Sequence, residues 1–515
     1  MNGMTPEERI KRARIAQVQW AKEGLASRCD VLRKLRRSIA EQREQIVARI
    51  CEDTGKPPLD ALAGDVLVTL EQIRFYESHA PHILRTRRVG KPSLLYLGAR
   101  FYEQFEPHGV VLIYAPSNYP FQLAVVPMVT ALFAGNGVIL KCSEKTPRVA
   151  GCVEALCKDA GLPEDLVQVV DDAPELAAAF IDAGPDLIFF TGSTENGRSV
   201  ARRAADHLIP AVLELGGKDA ALVFADCPLE RTLEGVTYGA FSHAGQVCVG
   251  IKRLFVEQSV YGQFLARLTS RVEALRIGSD PDSDLGRLQD LAGRARLVAQ
   301  VEDALQRGAR LHVPQKNAPS WDVPIVLSDV APDARLLAEE TFGPVLCVAP
   351  FATEAEAIAL ANSSAFALGA SVWTRDRSRA RRVAAALNAG SCAVNDVIRN
   401  IANPQASFGG NRASGYGRYH GEHGLYTFSR IKSVMFCTGR MPREINWFPF
   451  ARKTLDWLNT FVGIRHSAKG LWSAVRRLLL VACMFSLLPS ALASQMRNGH
   501  IRNRVAVLRN SHGSL

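Results

Sequence analysis

The stretch GVVLIYAPSNYPFQLAVVPMVTALFAGNGVILK, residues 109–141, determines the predicted fold class. Its short apolar ends, residues 109–114 and 137–141, predict buried strands, and residues 123–134 between them predict a helix. The alternation continues with a helix at 146–160, a strand at 166–170, a helix at 175–183 and a strand at 187–190. Short apolar runs separated by helices of about ten to fifteen residues are typical of parallel βαβ units. We therefore predict a doubly wound α/β sheet whose ligands lie at the carboxyl ends of its strands.

Helical and extended segments flank this region. Residues 6–49 carry apolar side chains at helical spacing, and the segment TGKPP at 54–58 interrupts the pattern. A second helical run is predicted at 59–79, and residues 89–106 are predicted to be extended. Further along, the sequence predicts strands at 253–257, 372–373 and 392–395 and helices at 261–275 and 357–361. A second α/β unit should therefore end near Gly410.

Length and composition set broad limits on the protein. A chain of 515 residues is too long for one ordinary core and suggests about two to four structural units. The 11 cysteines contain no Cys-x-x-Cys motif, which argues against a zinc knuckle or a thioredoxin motif. The polar, basic residues 1–14 show no secretory signal. We expect a cytoplasmic body with reduced thiols.

The net charge of +11 is unevenly distributed. Residues 1–50 carry +6 (12 Lys/Arg against 6 Asp/Glu) and residues 441–515 carry +9 (11 against 2), which leaves −4 for residues 51–440. No nucleic-acid recognition motif accompanies the basic ends, so we expect no nucleic-acid partner. Solvated helix faces are the simpler interpretation of these charges.

One cysteine lies in a segment that suggests chemistry. Cys248 occupies the fourth position of GQVCV, residues 245–249. A single cysteine is most often an inert core residue. Cys248 becomes a candidate catalytic residue only when it is considered together with other segments of the chain.

Two further segments follow predicted strands. Glu214 begins ELGGK after the apolar residues 211–213, and the paired glycines would let another group approach the backbone closely. The segment TGSTENG at 191–197 follows a strand and opens a helix, where backbone N–H groups favour phosphate. A surface turn with an incidental carboxylate and a simple helix cap are the respective alternatives.

Taken together, the motifs resemble those of the aldehyde dehydrogenase superfamily over about residues 10–437. Glu214 and Cys248 have the family's usual separation of 34 residues. The end of the matched region, SGYGRYHG at 414–421, looks most like the class 3 or fatty aldehyde branch. Besides the three segments above, the resemblance rests on PSNYPF (116–121), KCSE (141–144), EETFGP (339–344) and SFGG (407–410).

The resemblance implies an α/β fold with two doubly wound domains, NAD-binding and catalytic, and a small oligomerisation β-arm. The NAD-binding domain would comprise residues 1–88 and 108–215, and the catalytic domain residues 216–412. Residues 89–107 and 413–440 would form the arm, which implies a homodimer built by edge pairing of strands. Residues 441–515 would be a separate tail.

The resemblance also implies a mechanism for aldehyde oxidation. Cys248 would attack the aldehyde as a thiolate, and Asn118 would stabilise the oxyanion together with the backbone N–H of Cys248. Hydride transfer to NAD would leave a thioester on Cys248, which Glu214 would hydrolyse by activating water. The product is a carboxylic acid, and no metal is required.

Eight residues are expected to hold the dinucleotide. A carboxylate at Glu144 accepts hydrogen bonds from ribose hydroxyls but repels a 2′-phosphate, which favours NAD while leaving NADP open. Glu340 would hold the nicotinamide ribose, with Phe342 packed nearby. The full expected set is Lys141, Glu144, Gly192, Ser193, Gly197, Leu215, Glu340 and Phe342.

Three positions depart from the family pattern. Ser117 stands where the family often has Trp, and Cys142 and Ser407 stand where it often has Pro. None of these changes removes a reacting group. The Ser117 change alters the pocket wall, so the aldehyde, which we expect to be apolar and aliphatic or aromatic, is not identified by the resemblance.

The tail has features of a membrane-contacting segment. It holds Trp447, Trp457 and Trp472, and an apolar run at 478–493 follows Arg476 and Arg477. Sixteen residues are slightly short of the roughly 20 that cross a bilayer, whereas basic flanks and Trp favour interfacial contact. Association with a membrane through residues 441–515, a helix packed on the body and a disordered extension all stay open.

The sequence leaves three alternative functions open. An acylating enzyme would transfer the acyl group of the thioester to coenzyme A. The presence of Glu214 favours hydrolysis of the thioester instead. A catalytically inactive scaffold would be expected to have lost at least one of Asn118, Glu214 and Cys248. A thiol hydrolase would need a Cys–His pair, for which only His243 lies near Cys248 in sequence.

Overall fold

The computed structural model describes residues 4–467, except 91–95, 97, 171–175, 279, 287, 289–290, 314–322, 440–441 and 445. The apolar run predicted at 478–493 lies outside the described residues. By its contacts the chain divides into two units. The first unit comprises Met1–Pro92 and Arg100–Met435, and the second comprises Ser93–Ala99 and Phe436–Leu515.

The helices and strands follow one another along the whole described chain. The α-helices are α1 (Pro6–Lys22), α2 (Gly24–Glu41), α3 (Arg43–Thr54), α4 (Pro58–Asp60), α5 (Val68–Ile83), α6 (Gln122–Ala134), α7 (Pro147–Asp159), α8 (Leu176–Asp182), α9 (Thr194–Asp206), α10 (Leu229–Phe241), α11 (Tyr261–Glu273), α12 (Leu291–Gln306), α13 (Arg335–Ala338), α14 (Glu354–Asn362), α15 (Arg377–Ala386), α16 (Gly421–Thr427) and α17 (Arg452–Val462). The strands are β1 (Arg87–Arg88), β2 (Ala99–Pro107), β3 (Val110–Tyr114), β4 (Gly137–Lys141), β5 (Val167–Val170), β6 (Leu187–Thr191), β7 (Ala211–Glu214), β8 (Asp219–Val223), β9 (Ile251–Glu257), β10 (Arg310–Val313), β11 (Ile325–Ser328), β12 (Val345–Phe351), β13 (Phe366–Ala367), β14 (Gly369–Trp373), β15 (Ser391–Val394), β16 (Asn411–Arg412), β17 (Gly415–Tyr416) and β18 (Ser429–Cys437).

The first sheet confirms the predicted βαβ units. Its strand order is β17-β7-β6-β3-β4-β5, parallel from β7 to β5, with β17 antiparallel to β7. Strand β3 is buried along its whole length, and α6 is buried on all sides, as its continuous apolar sequence requires. The order reverses between β3 and β6, so a crevice is expected outside the carboxyl ends of these two strands.

The second sheet confirms the second α/β unit. Its order is β10-β11-β12-β9-β8-β14-β15, parallel except for β10, which runs antiparallel to β11. Buried apolar clusters cover both faces of each sheet. Both sheets are therefore covered on two sides, as the predicted two-domain fold requires.

The sequence missed parts of the second sheet. The strands β8, β10, β11 and β12 and the helices α10, α12, α13 and α15 were not predicted. Strands β10 and β11 have only four residues each, which is too few for a clear periodic signal, whereas β12 is a seven-residue, mostly apolar run.

The N-terminal helical region is divided more finely than predicted. Three helices, α1 to α3, replace the single pattern at 6–49, with breaks at Glu23 and Gln42. Helix α1 begins with a capping box between Thr5 and Glu8. A π-helical turn, Ala61–Leu67, joins α4 to α5, so the second helical run continues to Ile83.

A third sheet of order β1-β2-β18 contains the predicted extended segment in part. Strand β2 begins at Ala99, and residues 91–95 and 97 of that segment lie outside the described residues. Strand β18 lies at the edge of this sheet and is mostly exposed. In the second unit, α17 follows a run of exposed aromatic residues. Among the described helices, none is both long and apolar enough to cross a membrane.

Candidate active site

Three polypeptide segments bring Asn118, Glu214 and Cys248 into one region of the first unit. Asn118 follows β3, Glu214 ends β7, and Cys248 lies between α10 and β9. The side-chain Nδ2 of Asn118 donates to the backbone oxygen of Gln246 at 2.9 Å, so the loop after β3 contacts the loop that carries Cys248. Asn118 and Glu214 are 5% and 4% exposed, and Cys248 is half-buried.

The loop before Cys248 has an unusual backbone. His243, Ala244 and Gly245 have φ values of 48°, 52° and 69°, all in the left-handed region. Such conformations cost free energy for residues other than glycine and are often found at functional sites. At Gly245 a side chain would also overlap the backbone of Gly343, so this position requires glycine on two grounds.

The paired glycines after Glu214 permit two close approaches. A Cβ at Gly217 would overlap the backbone oxygen of Cys248, and a Cβ at Gly216 would overlap the carboxylate of Glu340. The prediction that these glycines admit another group is confirmed. They bring the Cys248 segment and the Glu340 segment together on either side of one short backbone stretch.

Burial shifts the pKa of both Cys248 and Glu214. It raises the pKa of the Cys248 thiol above its usual value, and the carboxylates of Asp219, Glu214 and Glu340 raise it further. Burial likewise raises the pKa of the Glu214 carboxyl, which the Arg418 guanidinium partly offsets. In the described part of the chain, neither oxygen of Glu214 has a hydrogen-bond partner. A buried carboxylate left in this state can accept the hydrogen bonds of a water molecule.

His243 does not form the pair that a thiol hydrolase needs. Its ring packs edge-on against Tyr119, with the ring centroids 5.5 Å apart. Burial, with a smaller contribution from Lys56, lowers the pKa of His243 well below its usual value. Neither ring nitrogen has a partner among the described residues. The arrangement does not favour the thiol hydrolase.

The residues predicted to bind phosphate lie where α9 begins. Ser193 caps this helix by accepting a hydrogen bond from the backbone N–H of Asn196. A Cβ at Gly192 would lie 2.7 Å from the Phe190 ring. A Cβ at Gly197 would overlap Leu215, which packs directly on the helix here. The two glycines thus allow Phe190 and Leu215 to pack closely against the start of α9, and the phosphate-binding role of this segment stays a prediction.

The residues predicted to hold the adenosine ribose lie at the end of the neighbouring strand. Lys141 ends β4 and is buried, with its Nζ 3.5 Å from the Cys142 backbone oxygen. Glu144 follows three residues later and is exposed. Both therefore lie at the carboxyl edge of the first sheet, on the β4 side of the crevice. This placement fits an adenosine ribose.

The Glu340 segment is held by contacts that the sequence did not reveal. Lys218 is buried and donates from Nζ to Thr341 Oγ1 at 2.7 Å. Thr341 in turn donates to Gln300 Oε1 at 2.7 Å. Burial lowers the pKa of Lys218 to about 8. Phe342, next to Thr341, is half-buried.

Other buried ionisable groups beneath the site were also missed. Burial raises the pKa of Asp219 to about 7 and lowers the pKa of Arg253 to about 10. Arg253 donates to the Lys218 backbone oxygen at 2.9 Å. The consecutive charged residues Lys252 and Arg253 at the start of an apolar strand could have indicated these buried groups. A charged residue is rarely buried without a partner, so such a pair in an apolar strand suggests specific contacts.

Comparison with known proteins identifies the class. The profile of the aldehyde dehydrogenase family matches residues 3–434. A 4,4'-diapolycopene aldehyde oxidase from Methylomonas sp is 39% identical over 471 residues, covering 92% of this chain and 89% of the relative. A 2-hydroxymuconic semialdehyde dehydrogenase from Pseudomonas sp. (strain CF600) is 34% identical over 429 residues, covering 81% and 87%. The NAD+ complex of an aldehyde dehydrogenase from Bacillus cereus superimposes with a TM-score of 0.79 at 31% identity, covering 84% of this chain and 89% of that one.

The chain belongs to the aldehyde dehydrogenase family. It is an NAD-dependent oxidoreductase that acts on an aldehyde. The superfamily resemblance seen in the sequence is confirmed, and the assignment to the class 3 branch stays a prediction.

The raised pKa values predict how activity depends on pH. Both reactive forms, the Cys248 thiolate and the Glu214 carboxylate, are deprotonated, and burial raises both pKa values. We expect alkylation of Cys248 by iodoacetamide and steady-state turnover to rise with pH from neutral to alkaline, by up to about tenfold per unit for each group.

The variant Glu214→Gln tests the electrostatic cause. It removes one negative charge that raises the pKa of Cys248, so its alkylation profile should shift to lower pH. Mass spectrometry of the modified peptide confirms which thiol reacts. An alkylation rate that is independent of pH in this range, or a shift to higher pH in the variant, would contradict the prediction.

Proposed function

We propose that Cys248 is the nucleophile, Asn118 the oxyanion donor and Glu214 the base that hydrolyses the thioester. The observation that carries this proposal is the meeting of the three residues from separate segments at the carboxyl end of the first sheet. Sites in doubly wound sheets lie at this edge.

The acylation step follows from the groups present. The Cys248 thiolate forms a bond to the aldehyde carbon, and the carbonyl oxygen becomes an oxyanion. The Asn118 carboxamide has two N–H donors, of which one binds Gln246 and the other is assigned to the oxyanion, beside the backbone N–H of Cys248. NAD, when bound, supplies the hydride acceptor. Loss of the hydride leaves a thioester on Cys248.

The hydrolytic step requires a base that can bind water. Glu214 is supported in this role by its burial and by its two oxygens without partners in the described structure. Its carboxylate takes a proton from water, the resulting hydroxide attacks the thioester, and the Cys248 thiolate leaves. This step distinguishes a hydrolytic dehydrogenase from the acylating enzyme, in which coenzyme A receives the acyl group.

We assign NAD binding to the first sheet and to the segment after α13. Gly192, Ser193 and Gly197 would hold the pyrophosphate, with Leu215 beside them. Lys141 and Glu144 would hold the adenosine ribose, and the Glu144 carboxylate disfavours the 2′-phosphate of NADP. Glu340 and Phe342 would contact the nicotinamide ribose.

The proposed domain boundaries follow the sheets. Strands β3 to β7 fall within residues 108–215, assigned to NAD binding, and strands β8 to β15 fall within 216–412, assigned to catalysis. The arm would comprise residues 89–107 and 413–440.

The substrate class is proposed to be long, apolar aldehydes. The relative with 39% identity is named as a 4,4'-diapolycopene aldehyde oxidase. Tyr119, next to Asn118, lies against the π-helical turn, where a Cβ at Gly64 would be 2.6 Å from its ring. Leu62 and Leu67 of that turn are 40% and 51% exposed, and we propose that these apolar side chains contact the substrate chain.

The tail is proposed to contact anionic membranes in which such aldehydes dissolve. The similarity to the Methylomonas relative covers more of the chain than residues 1–434 can supply, so it continues into the tail. The described part of the second unit exposes Trp447, Phe448 and Phe450 at 57%, 78% and 75%. Residues 441–515 also carry a net charge of +9. The tail therefore combines aromatic and basic side chains, as do segments that bind at the membrane–water interface.

A homodimer is proposed through strand β18. Edge strands present unpaired backbone groups, and this one also exposes Ile431 and Met435 at 56% and 54%. Two copies could pair their β18 strands and cover these side chains.

The catalytic assignment is tested by NADH formation from hexanal and dodecanal without coenzyme A. Wild-type protein should turn over continuously, and Cys248→Ala should show no activity. Glu214→Gln should release about one NADH per site in a burst and then turn over on the order of a hundredfold more slowly, because only hydrolysis is impaired. Asn118→Ala should slow the burst itself on the order of a hundredfold.

Three outcomes would contradict this assignment. Sustained turnover that requires added coenzyme A would indicate the acylating enzyme. Full activity of Cys248→Ala would remove the nucleophile, and equal slowing of burst and steady state in Glu214→Gln would remove the hydrolytic role. Turnover with NADP, measured in parallel with turnover with NAD, tests the role of Glu144. The variant Glu144→Ala should reduce the ratio of the rate with NAD to the rate with NADP.

The tail is tested by co-sedimentation of the full chain with lipid vesicles. Binding should be seen with phosphatidylglycerol-containing vesicles, should weaken with added salt and should fall about tenfold when Trp447, Phe448 and Phe450 are changed to Ser. Leu208→Ser, at a leucine that is 91% exposed in the first unit, is the matched control and should bind like wild type. Absence of binding to vesicles of either charge would refute the proposal.

The dimer is tested by sedimentation velocity. The pair Ile431→Lys and Met435→Lys should convert a dimer to a monomer, because it places charge on the paired edge. The pair Ile15→Lys and Leu208→Lys introduces the same charge at exposed positions elsewhere and should leave the dimer intact. A wild-type monomer at micromolar concentration, or a dimer that survives the paired change, would show that β18 is not the interface.

A further inference from the structure

Lys252 is a buried lysine at the start of β9, one of the innermost strands of the second sheet. Its relative exposure is 2%. A buried ammonium group requires hydrogen-bond partners, because burial without them costs several kcal/mol. Its Nζ donates to two backbone oxygens, that of Gly245 at 2.7 Å and that of Gly343 at 2.8 Å.

The two accepting carbonyls belong to different segments of the site. Gly245 lies three residues before Cys248, and Gly343 lies three residues after Glu340. The two glycines also touch directly, because a Cβ at Gly245 would overlap the Gly343 backbone. One side chain therefore joins the nucleophile loop to the segment assigned to the nicotinamide ribose.

We propose that Lys252 is a positioning residue that fixes the distance between Cys248 and the bound nicotinamide ribose by clamping residues 245 and 343 together. This inference rests on the roles proposed above for Cys248 and Glu340. Lys252 touches neither substrate nor cofactor in this scheme and acts only through the two loops.

The clamp does not depend on the charge of Lys252. Burial, followed by the nearby Lys218, lowers the pKa of Lys252 to about 7, whereas Glu340, Asp219 and Cys347 favour its charged form. A neutral amine retains two N–H donors, one for each carbonyl. The clamp should therefore persist in both protonation states.

Lys218 performs a different task from Lys252. It donates to the Thr341 hydroxyl and thereby holds the Glu340 segment to the start of β8. It makes no described hydrogen bond to the loop from 242 to 248. The connection between that loop and Gly343 through an ammonium group is specific to Lys252 within the described chain.

The test compares Lys252→Met, which keeps the length and removes the donors, with Lys252→Gln, which keeps two N–H donors on a shorter side chain. Lys158→Met is the control for loss of a lysine, since Lys158 is 69% exposed and pairs only with Glu154. The measurements are the Kd for NADH by fluorescence, the rate of Cys248 alkylation with and without NAD, and the Tm.

Lys252→Met should raise the Kd for NADH by at least about tenfold, because two buried carbonyls lose their donor and the loops separate. In wild type, NAD should change the rate at which Cys248 is alkylated. This change should be nearly absent in Lys252→Met, because the Cys248 loop is no longer coupled to the segment assigned to the nicotinamide ribose. Lys252→Gln should lie between Met and wild type, and Lys158→Met should match wild type.

A purely structural role gives a different pattern. A lower Tm in Lys252→Met with a Kd within twofold of wild type and an unchanged alkylation response would overturn the proposal. If Lys252→Met does not fold, the same pattern in Lys252→Gln overturns it.

Glu340→Gln separates this inference from the proposal on which it rests. If it raises the Kd and Lys252→Met does not, the clamp is wrong and the role of Glu340 stands. If it leaves the Kd unchanged while Lys252→Met raises it, Glu340 is not the ribose ligand, and the proposed link from Lys252 to the nicotinamide ribose is overturned together with that role.

Discussion

The absence of side chains at Gly216 and Gly217 is the constraint on which the rest of the site depends. The Cys248 carbonyl and the Glu340 carboxylate both occupy space that a Cβ would fill. A residue with a side chain at either position would push the Cys248 segment or the Glu340 segment away from this backbone. Glu214 lies two residues before Gly216, so Glu214, the Cys248 segment and the Glu340 segment are placed relative to one short piece of backbone.

Such close packing excludes water and thereby sets the electrostatics. Desolvation raises the pKa of Cys248 and Glu214 together, whereas Lys218, Lys252 and Arg253 direct their hydrogen bonds to neutral oxygens. The cations therefore organise backbone and hydroxyl groups rather than neutralise the catalytic carboxylate. Glu214 is left without a strong ion pair, which preserves its basicity for water.

Sequence could predict the first sheet and the reacting residues because both leave local signals. Buried parallel strands such as β3 and β4 are continuous apolar runs, and Glu214 and Cys248 lie in short motifs of defined spacing. The strands β10 and β11 were missed because each has only four residues and depends on pairing with distant partners, whereas β12 does carry a continuous apolar run of the kind that marks a buried strand. The Lys252 contacts could not be predicted from the sequence because both acceptors are backbone oxygens, 7 and 91 residues away. Every residue has a backbone oxygen, so the acceptor leaves no signal in the sequence.

The proposed substrate and the tail support each other physically. A long apolar aldehyde has little solubility in water, so an enzyme that oxidises it must meet it at an apolar surface. The exposed side chains of Leu62 and Leu67 are proposed to accept an apolar chain, and the basic, aromatic tail is proposed to hold the protein where such chains are dissolved. A small polar aldehyde would need neither feature. The similarity to the diapolycopene aldehyde oxidase extends into the tail, whereas the family profile ends at residue 434, so the function proposed for the tail lies outside the region that the family profile covers.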